Sequence, residues 1–265
     1  MSSLTVPSDN PRGAMRPTDF GTVHVSLLPD FVCRMDRRVV DLSDIQQRLV
    51  AAVVLDDRPV GRHDLAARLW PDVPPARASA RLRQTLWRLN QVTVGELLRT
   101  SHTTVALAEH VEVDYRTAAG LVSAVSRAGG EAFSGGDRLP QAWSVLRHPL
   151  LYGWDDDWLA PFQGKWELQR VQALENLAET FLQRRQHSAV LELADAAAQA
   201  DPLREGPRRI AVQSCLRAGE VADAHRRYRR YRELLSSELG VSPSSAIPRL
   251  LKQDRERQLA LAADY

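Results

Sequence analysis

The sequence predicts a mainly α fold with a small β component near its N-terminal end. Three short β-favouring runs precede the first helical pattern, and two more such runs follow the third helical pattern. Beyond Val113, apolar residues recur at helical spacing over most of the chain. The 265 residues, 44% of them hydrophobic, suffice for one large domain or two smaller ones.

Composition narrows the classes of protein that this chain can belong to. Its formal net charge is only +2, so any nucleic-acid surface must be locally basic. Cys33 and Cys215 lie far apart without metal-ligand spacing, which favours a reducing cytoplasm and no disulfide. No apolar run approaches the ~20 residues of a membrane span. Prolines interrupt residues 1–18, which we expect to be a disordered leader.

The first β-favouring runs predict a small antiparallel sheet. They are separated by the turn-like pairs Pro29-Asp30 and Asp36-Arg37, and they cover residues 22–28, 31–35 and 38–42. Ser43 then offers a helix N-cap, and an apolar stripe predicts a helix over residues 44–55.

The next elements complete a recognisable order. Helical patterns cover residues 63–69 and 76–90, and strands are predicted over residues 97–100 and 104–107. A sheet, three helices and a hairpin in that order are typical of a winged helix-turn-helix domain. A generic α+β domain is the alternative interpretation of the same pattern.

The C-terminal part contains an internal repeat. Val190 and Ala224 are 34 residues apart, which is the tetratricopeptide period, and the same offset relates further core positions. These pairs are Phe181 with Cys215, Ala194 with Tyr228, and Ala197 with Tyr231. The pattern predicts an all-α, tetratricopeptide-like domain that binds proteins, with an ordinary helical bundle as the alternative.

The third helix carries the candidate binding residues. Residues 77–99 contain five arginines and a single acid, Glu96. Leu82, Leu86 and Leu89 define a buried side, so a polar side remains for contacts with DNA bases and phosphates. The candidates on this helix are Arg77, Ser79, Arg81, Arg83, Gln84, Thr85 and Arg88. A solvated arginine face is the alternative.

The hairpin after this helix is expected to meet the DNA backbone or minor groove. Its candidate residues are Arg99, Ser101, His102 and Thr103. A second basic run, residues 225–232, could also bind nucleic acid. However, Ala224, Tyr228, Tyr231 and Leu235 would face inward there, which favours a solvated arginine face.

An acidic cluster at Trp154-Asp155-Asp156-Asp157-Trp158 could attract a hard cation. No Gly-spaced ligand loop, His or Glu completes a set of ligands nearby. We therefore expect the acids to cap a following helix, with the tryptophans packing on either side. No metal or cofactor is predicted, and because no nucleotide-binding loop or hydrolase motif occurs, an enzyme is the least supported class.

Specific segments of the chain resemble the Streptomyces antibiotic regulatory protein family over roughly residues 20–255. They are "GRHDLAARLWPDVPPARASARLRQTLWRLN", "LLYGWDDDWLAPF", "ADPLRE" and "ELGVSPS". Two details depart from the family pattern. Ser101-His102-Thr103-Thr104 replaces a glycine-rich wing tip, and Tyr152 replaces proline in the usual Leu-Pro-Gly-Trp corner.

The resemblance implies a division into a winged-helix DNA-binding domain over residues 19–112 and a bacterial transcriptional activation domain over residues 113–262. It implies an activator of secondary-metabolite genes that binds direct repeats in double-stranded promoter DNA near the −35 element as a side-by-side pair. It further implies recruitment of RNA polymerase holoenzyme through its sigma factor and other subunits, with alpha and beta as candidates. A helical-repeat adaptor and a ligand-gated repressor remain the alternative functions.

Overall fold

The computed structural model describes residues 22–56, 58–128 and 144–263. The chain opens with a sheet whose strands are β1 (Val23–Ser26), β2 (Val32–Met35) and β3 (Arg38–Val39). These strands are antiparallel, and Val25 lies opposite Cys33. Strand β7 (Glu112–Val113) pairs in parallel with β1 at the other edge, giving the order β3-β2-β1-β7.

Three helices follow, as the sequence predicts. They are α1 (Asp44–Leu55), α2 (Arg62–Leu69) and α3 (Pro75–Val92). Helix α1 begins at the predicted N-cap, where the Ser43 amide donates to the Gln46 side chain at 2.9 Å. The C-terminal half of α1 is buried on all sides, which makes it the centre of this part of the core.

The hairpin after α3 consists of β5 (Leu98–Thr100) and β6 (Thr104–Leu107). A short strand β4 (Val60–Gly61) joins it, so that this second sheet has the order β4-β6-β5. The run Arg58-Pro59-Val60-Gly61 predicts a turn where β4 lies, and no local pattern predicts β7. Both strands contain two residues, and only pairing with a distant strand stabilises elements of that length.

The helical part begins with α4 (Asp114–Ala128). It continues with α5 (Ala160–Gln183), α6 (His187–Ala200), α7 (Glu205–Arg217), α8 (Val221–Leu239) and α9 (Ala246–Ala263). Glycines and prolines predict irregular structure over residues 129–165. That prediction is wrong at its end, because α5 already begins at Ala160 with proline in its first turn. Residues 129–143 of that segment and the expected leader lie outside the described residues.

The repeat is visible in the backbone as well as in the sequence. The Gln186 amide donates to the Phe181 carbonyl at 3.1 Å, and 34 residues later the Glu220 amide donates to the Cys215 carbonyl at 2.8 Å. The residue before each donor, Arg185 or Gly219, has a positive φ. Both helix pairs therefore turn through the same left-handed C-terminal cap.

One apolar core runs from the first sheet into the helical part. It includes Val25 of β1, Leu49 of α1 and Trp166 of α5, all of them fully buried. Asp114 at the start of α4 accepts hydrogen bonds from the Leu27 and Leu28 amides at 2.8 and 3.2 Å. The boundary near residue 112 stays a prediction, since the core is continuous across it.

Among the described helices, none is long and apolar enough to cross a bilayer.

Candidate nucleic-acid interface

Helix α3 begins after two consecutive prolines. Pro74 is the N-cap and Pro75 fixes the first helical φ, while the Pro74 carbonyl accepts hydrogen bonds from the Arg77 and Ala78 amides at 2.9 and 3.0 Å. The buried side of the helix consists of Ala78, Leu82, Thr85, Leu86 and Leu89. This apolar side packs on the core and sets which residues face outward.

The outward side is polar and basic. Arg77, Arg81, Gln84 and Arg88 are all exposed, as the helical spacing predicts, and Arg83 is exposed on the other flank. None of these four arginines forms an ion pair with any residue that the structure describes. The helix thus presents uncompensated guanidinium groups that can pair with phosphate oxygens or guanine edges.

Thr85 differs from the prediction. It is only 8% exposed, and its hydroxyl donates to the Arg81 carbonyl one turn earlier at 3.0 Å. Helical spacing alone leaves either Gln84 or Thr85 in line with Arg81, and only Gln84 lies on the outward side. Ser79 is partly buried at the edge of that side.

Trp87 is a prominent member of this surface that sequence reasoning missed. Its side chain is 63% exposed, although it follows Leu86 in an apolar-looking stretch. At 100° per residue it lies between Gln84 and Arg83 around the helix axis. A helical-wheel projection centred on the buried leucines would have revealed it.

The hairpin is organised by Ser101 rather than by glycine. The Ser101 hydroxyl accepts hydrogen bonds from the Thr103 and Thr104 amides at 3.2 and 2.9 Å, and the Ser101 amide donates to the Thr104 carbonyl. These bonds satisfy the turn without the glycine-rich tip. His102 and Thr103 are exposed at the tip, where they are free to meet another surface.

Arg99 is the predicted hairpin residue that forms an ion pair. Its Nη1 lies 2.7 Å from a Glu109 oxygen, and both side chains are exposed. Exposed pairs of this kind contribute little and exchange readily with competing anions. Arg99 therefore remains available to bind an anion. The Glu109 carboxylate offsets part of its charge, whereas the arginines of α3 have no such partner among the described residues.

A small cavity joins the helix to the hairpin. Its volume is about 200 Å³, and its lining includes Arg62, Arg83, Trp87, Asn90 and Thr100. The Arg62 amide donates to the Thr103 carbonyl at 2.8 Å, which fixes the start of α2 against the hairpin tip. The Arg62 Nε is buried and has no hydrogen-bond partner in the part of the chain that the structure describes.

The acidic cluster before α5 has a structural role different from the predicted helix cap. Leu159 is the N-cap of α5 and no side chain caps that end, so the capping prediction was wrong. Asp156 instead pairs with Arg48 of α1 at 2.9 Å. Trp154 and Trp158 do pack on either side, beneath Arg48 and Arg68. The described residues contain no group of three or more ligating side chains suited to a metal ion.

The corner before this cluster keeps a tight turn despite its tyrosine. The Trp154 amide donates to the Leu151 carbonyl at 3.1 Å, and Gly153 has φ +80° at the third position. A type II turn needs a positive φ there, which glycine adopts without steric cost. Tyr152 occupies the second position, where proline is common but not required.

The fold joins a winged-helix part to tetratricopeptide-like helix pairs, an arrangement typical of regulatory proteins. Comparisons with known proteins support this class. The sequence profile of the bacterial transcriptional activator domain matches residues 113–253. The chain belongs to that family. A regulatory protein AfsR from Streptomyces coelicolor is 32% identical over 232 residues, and one from Streptomyces griseus is 29% identical over 236 residues. These alignments confirm the resemblance to the Streptomyces antibiotic regulatory proteins.

The alignments cover 83% and 84% of this chain but 23% of each relative, so the chain spans about a quarter of their length. Among solved structures, Mycobacterium tuberculosis EmbR in complex with a low-affinity phosphopeptide superposes with a TM-score of 0.69. The sequence identity is 24%, and the match covers 89% of this chain and 66% of that one. This likeness shows a shared fold.

Proposed function

We propose that this protein is a sequence-specific DNA-binding transcriptional activator that reads promoter DNA with α3. The observation that carries the proposal is the outward side of α3, where Arg77, Arg81 and Arg88 have no ion-pair partner among the described residues and Gln84 lies between them. A helix about 10–12 Å across fits a major groove about 12 Å wide. Membership in a transcriptional activator family supports the same function.

The residue types on the outward side of α3 have different roles in DNA recognition. Arginine binds guanine edges or clamps phosphates, and Gln84 can pair with adenine. Phosphate contacts fix the position of the protein, whereas a good base contact discriminates between sequences by about 1–3 kcal/mol. Exposed His102 and Thr103 at the hairpin tip would add contacts to the backbone or minor groove.

The finer function follows from the resemblance to the antibiotic regulators. We propose that the target is a set of direct repeats near the −35 element of secondary-metabolite genes. The protein would act in the cytoplasm. Two copies would bind side by side, and the helical part would recruit RNA polymerase holoenzyme. Stacked helix pairs present extended surfaces to proteins, which supports that role for α5 to α8.

A gel shift on upstream fragments of neighbouring genes tests the proposal. Binding is measured over a salt series, with and without polymerase holoenzyme. Activator function predicts tight binding to one repeat-containing fragment, a fall in log affinity that is linear in log salt, and a stronger complex with polymerase. No binding to any fragment at low salt would contradict DNA binding and favour an adaptor.

A ligand-gated regulator is the second candidate, favoured by a cleft between the two parts. The cleft has a volume of about 1160 Å³, and Arg58 and Arg116 line it together with Tyr115, Phe162 and Lys165. Clefts at domain junctions are common sites for small ligands. Stabilisation by a pathway metabolite in a thermal-shift assay, together with a change in DNA affinity, would support gating.

A further inference from the structure

The second basic run on α8 lines a concave cavity in the helical part. The cavity has a volume of about 260 Å³ and lies where α6, α7 and α8 meet. Its charged lining consists of Asp195, Arg208, Asp223, Arg226, Arg227 and Arg230. Three arginines of the run therefore face this hollow, and only part of the run forms the simple solvated face that the sequence favours.

Two of the four arginines are neutralised within the cavity. Arg227 contacts both oxygens of Asp195, at 2.6 and 3.1 Å, and this hydrogen bonding raises the pKa of Arg227. Arg226 pairs with Asp223 in the preceding turn. These two pairs use both carboxylates of the lining.

Arg208 and Arg230 form no ion pair with any described residue, and the Arg208 guanidinium lies 5.9 Å from the centre of the Tyr231 ring. Arg208 donates from Nη2 to the Ala198 carbonyl at 3.3 Å, and its buried Nε has no hydrogen-bond partner among the residues described. Burial lowers the pKa of Arg208, and the charge of nearby Asp195 offsets only part of that effect. Arg230 is exposed at the rim and has no carboxylate partner. The hollow thus carries about two unmatched positive charges.

We propose that this cavity binds a phosphate monoester dianion between Arg208 and Arg230. A phosphate monoester carries about −1.5 to −2 charges at neutral pH and three acceptor oxygens, which matches two guanidinium groups that have no carboxylate partner among the described residues. A single carboxylate would neutralise only one of them. A DNA backbone phosphate is a monoanionic diester on a convex surface and does not suit a hollow bounded by three helices. The site lies in the helical part and is independent of DNA reading by α3.

Calorimetric titration of the full chain with inorganic phosphate, at constant ionic strength in chloride, tests this site. We expect Arg208→Gln and Arg230→Gln each to weaken binding by about tenfold, because each removes one fork. Arg232→Gln is the matched control, since Arg232 is exposed on the same helix but does not line the cavity. It should bind phosphate like the wild type.

Dimethyl phosphate is a monoanionic diester, so it tests whether the site requires a dianion or accepts any anion. It should bind much more weakly than inorganic phosphate. Two further probes distinguish the source of the group: adenosine monophosphate represents a phosphorylated small molecule, and a phosphoserine peptide represents a modified protein. The tighter binder of the two identifies the source. If neither exceeds inorganic phosphate, the site takes free phosphate and the assignment to a monoester is wrong.

Phosphate binding by Arg230→Gln at wild-type strength would overturn the proposal, as would equal affinity for dimethyl phosphate. Arg230 is exposed, so this variant stays informative even if Arg208→Gln fails to fold. Promoter binding by Arg230→Gln in the absence of phosphate should equal that of the wild type. Failure of the α3 proposal and failure of this one are therefore distinguishable.

Discussion

Arg48 and Asp156 are 108 positions apart in the chain and form an ion pair in which Nε lies 2.9 and 3.0 Å from the two carboxylate oxygens. The Arg48 guanidinium also lies 5.2 Å from the centre of the Trp154 ring. The pair therefore joins α1 of the winged-helix part to the segment that precedes α5.

Removing this ion pair should destabilise the contact between the two parts. We expect Asp156→Asn to lower the free energy of unfolding by about 1–2 kcal/mol, because a partly buried charge-assisted hydrogen bond is weakened while Arg48 stays in place. Urea denaturation followed by circular dichroism gives the value. Asp155→Asn is the control, because Asp155 is exposed and forms no ion pair with a described residue. Equal effects of the two substitutions would contradict the assigned role.

The arginines of α3 should control DNA affinity without controlling stability. Arg81→Ala and Arg88→Ala are each expected to weaken operator binding by about tenfold and to reduce the salt slope by about one, as loss of a phosphate contact would. Fluorescence anisotropy with a labelled operator measures both quantities. Wild-type affinity in both variants would contradict the assignment of α3 to the DNA interface.

Gln84 and Thr85 are neighbours in sequence but should behave differently. Gln84 is exposed and Thr85 is buried, so Gln84→Ala should relax base preference at one operator position by about 1–3 kcal/mol. Thr85→Val keeps the buried volume and should leave base preference unchanged. Affinities for a set of single-base operator variants make the comparison. A loss of base preference in Thr85→Val would show that the helix docks on another side.

Much of this architecture could be predicted because local pattern and long-range packing agree. The start of α1 follows from Ser43, a polar residue suited to a helix N-cap, and its extent follows from an apolar stripe of period 3.6. The two-residue strands β4 and β7 could not be predicted, since their stability depends on partners far away in the chain.

The candidate surface was predictable to a similar degree. The spacing placed Arg77, Arg81 and Arg88 outward, but it did not decide between Gln84 and Thr85, and it overlooked Trp87. Adjacent residues differ by only 100° around a helix axis, so the orientation of the buried side must be known before such choices can be made. The role of Asp156 depended on Arg48, which no local pattern connects to it.

Both thiols should be inert in the folded protein. Cys33 is 1% exposed, and burial raises its pKa to about 11, while burial also raises the pKa of Cys215. Thiolate is the reactive form, so near pH 8 its fraction at Cys33 falls roughly a hundredfold below that of a thiol with the usual pKa. A chromogenic disulfide reagent should detect no rapid reaction at pH 8 and two thiols in denaturant. One fast thiol under native conditions would contradict this burial.

Arg185 and Gly219 occupy the same position in successive repeats, with φ of 58° and 80°. A left-handed conformation costs a side-chain-bearing residue about 1 kcal/mol that glycine avoids. We therefore expect Arg185→Gly to raise the free energy of unfolding by about 1 kcal/mol and Gly219→Ala to lower it by a similar amount.

Both residues are exposed, and nothing lies within 4 Å of a Cβ added at Gly219, so altered contacts cannot account for the effects. Thermal and urea unfolding of the two variants should give opposite signs. The same sign in both would show that the repeats do not share this cap.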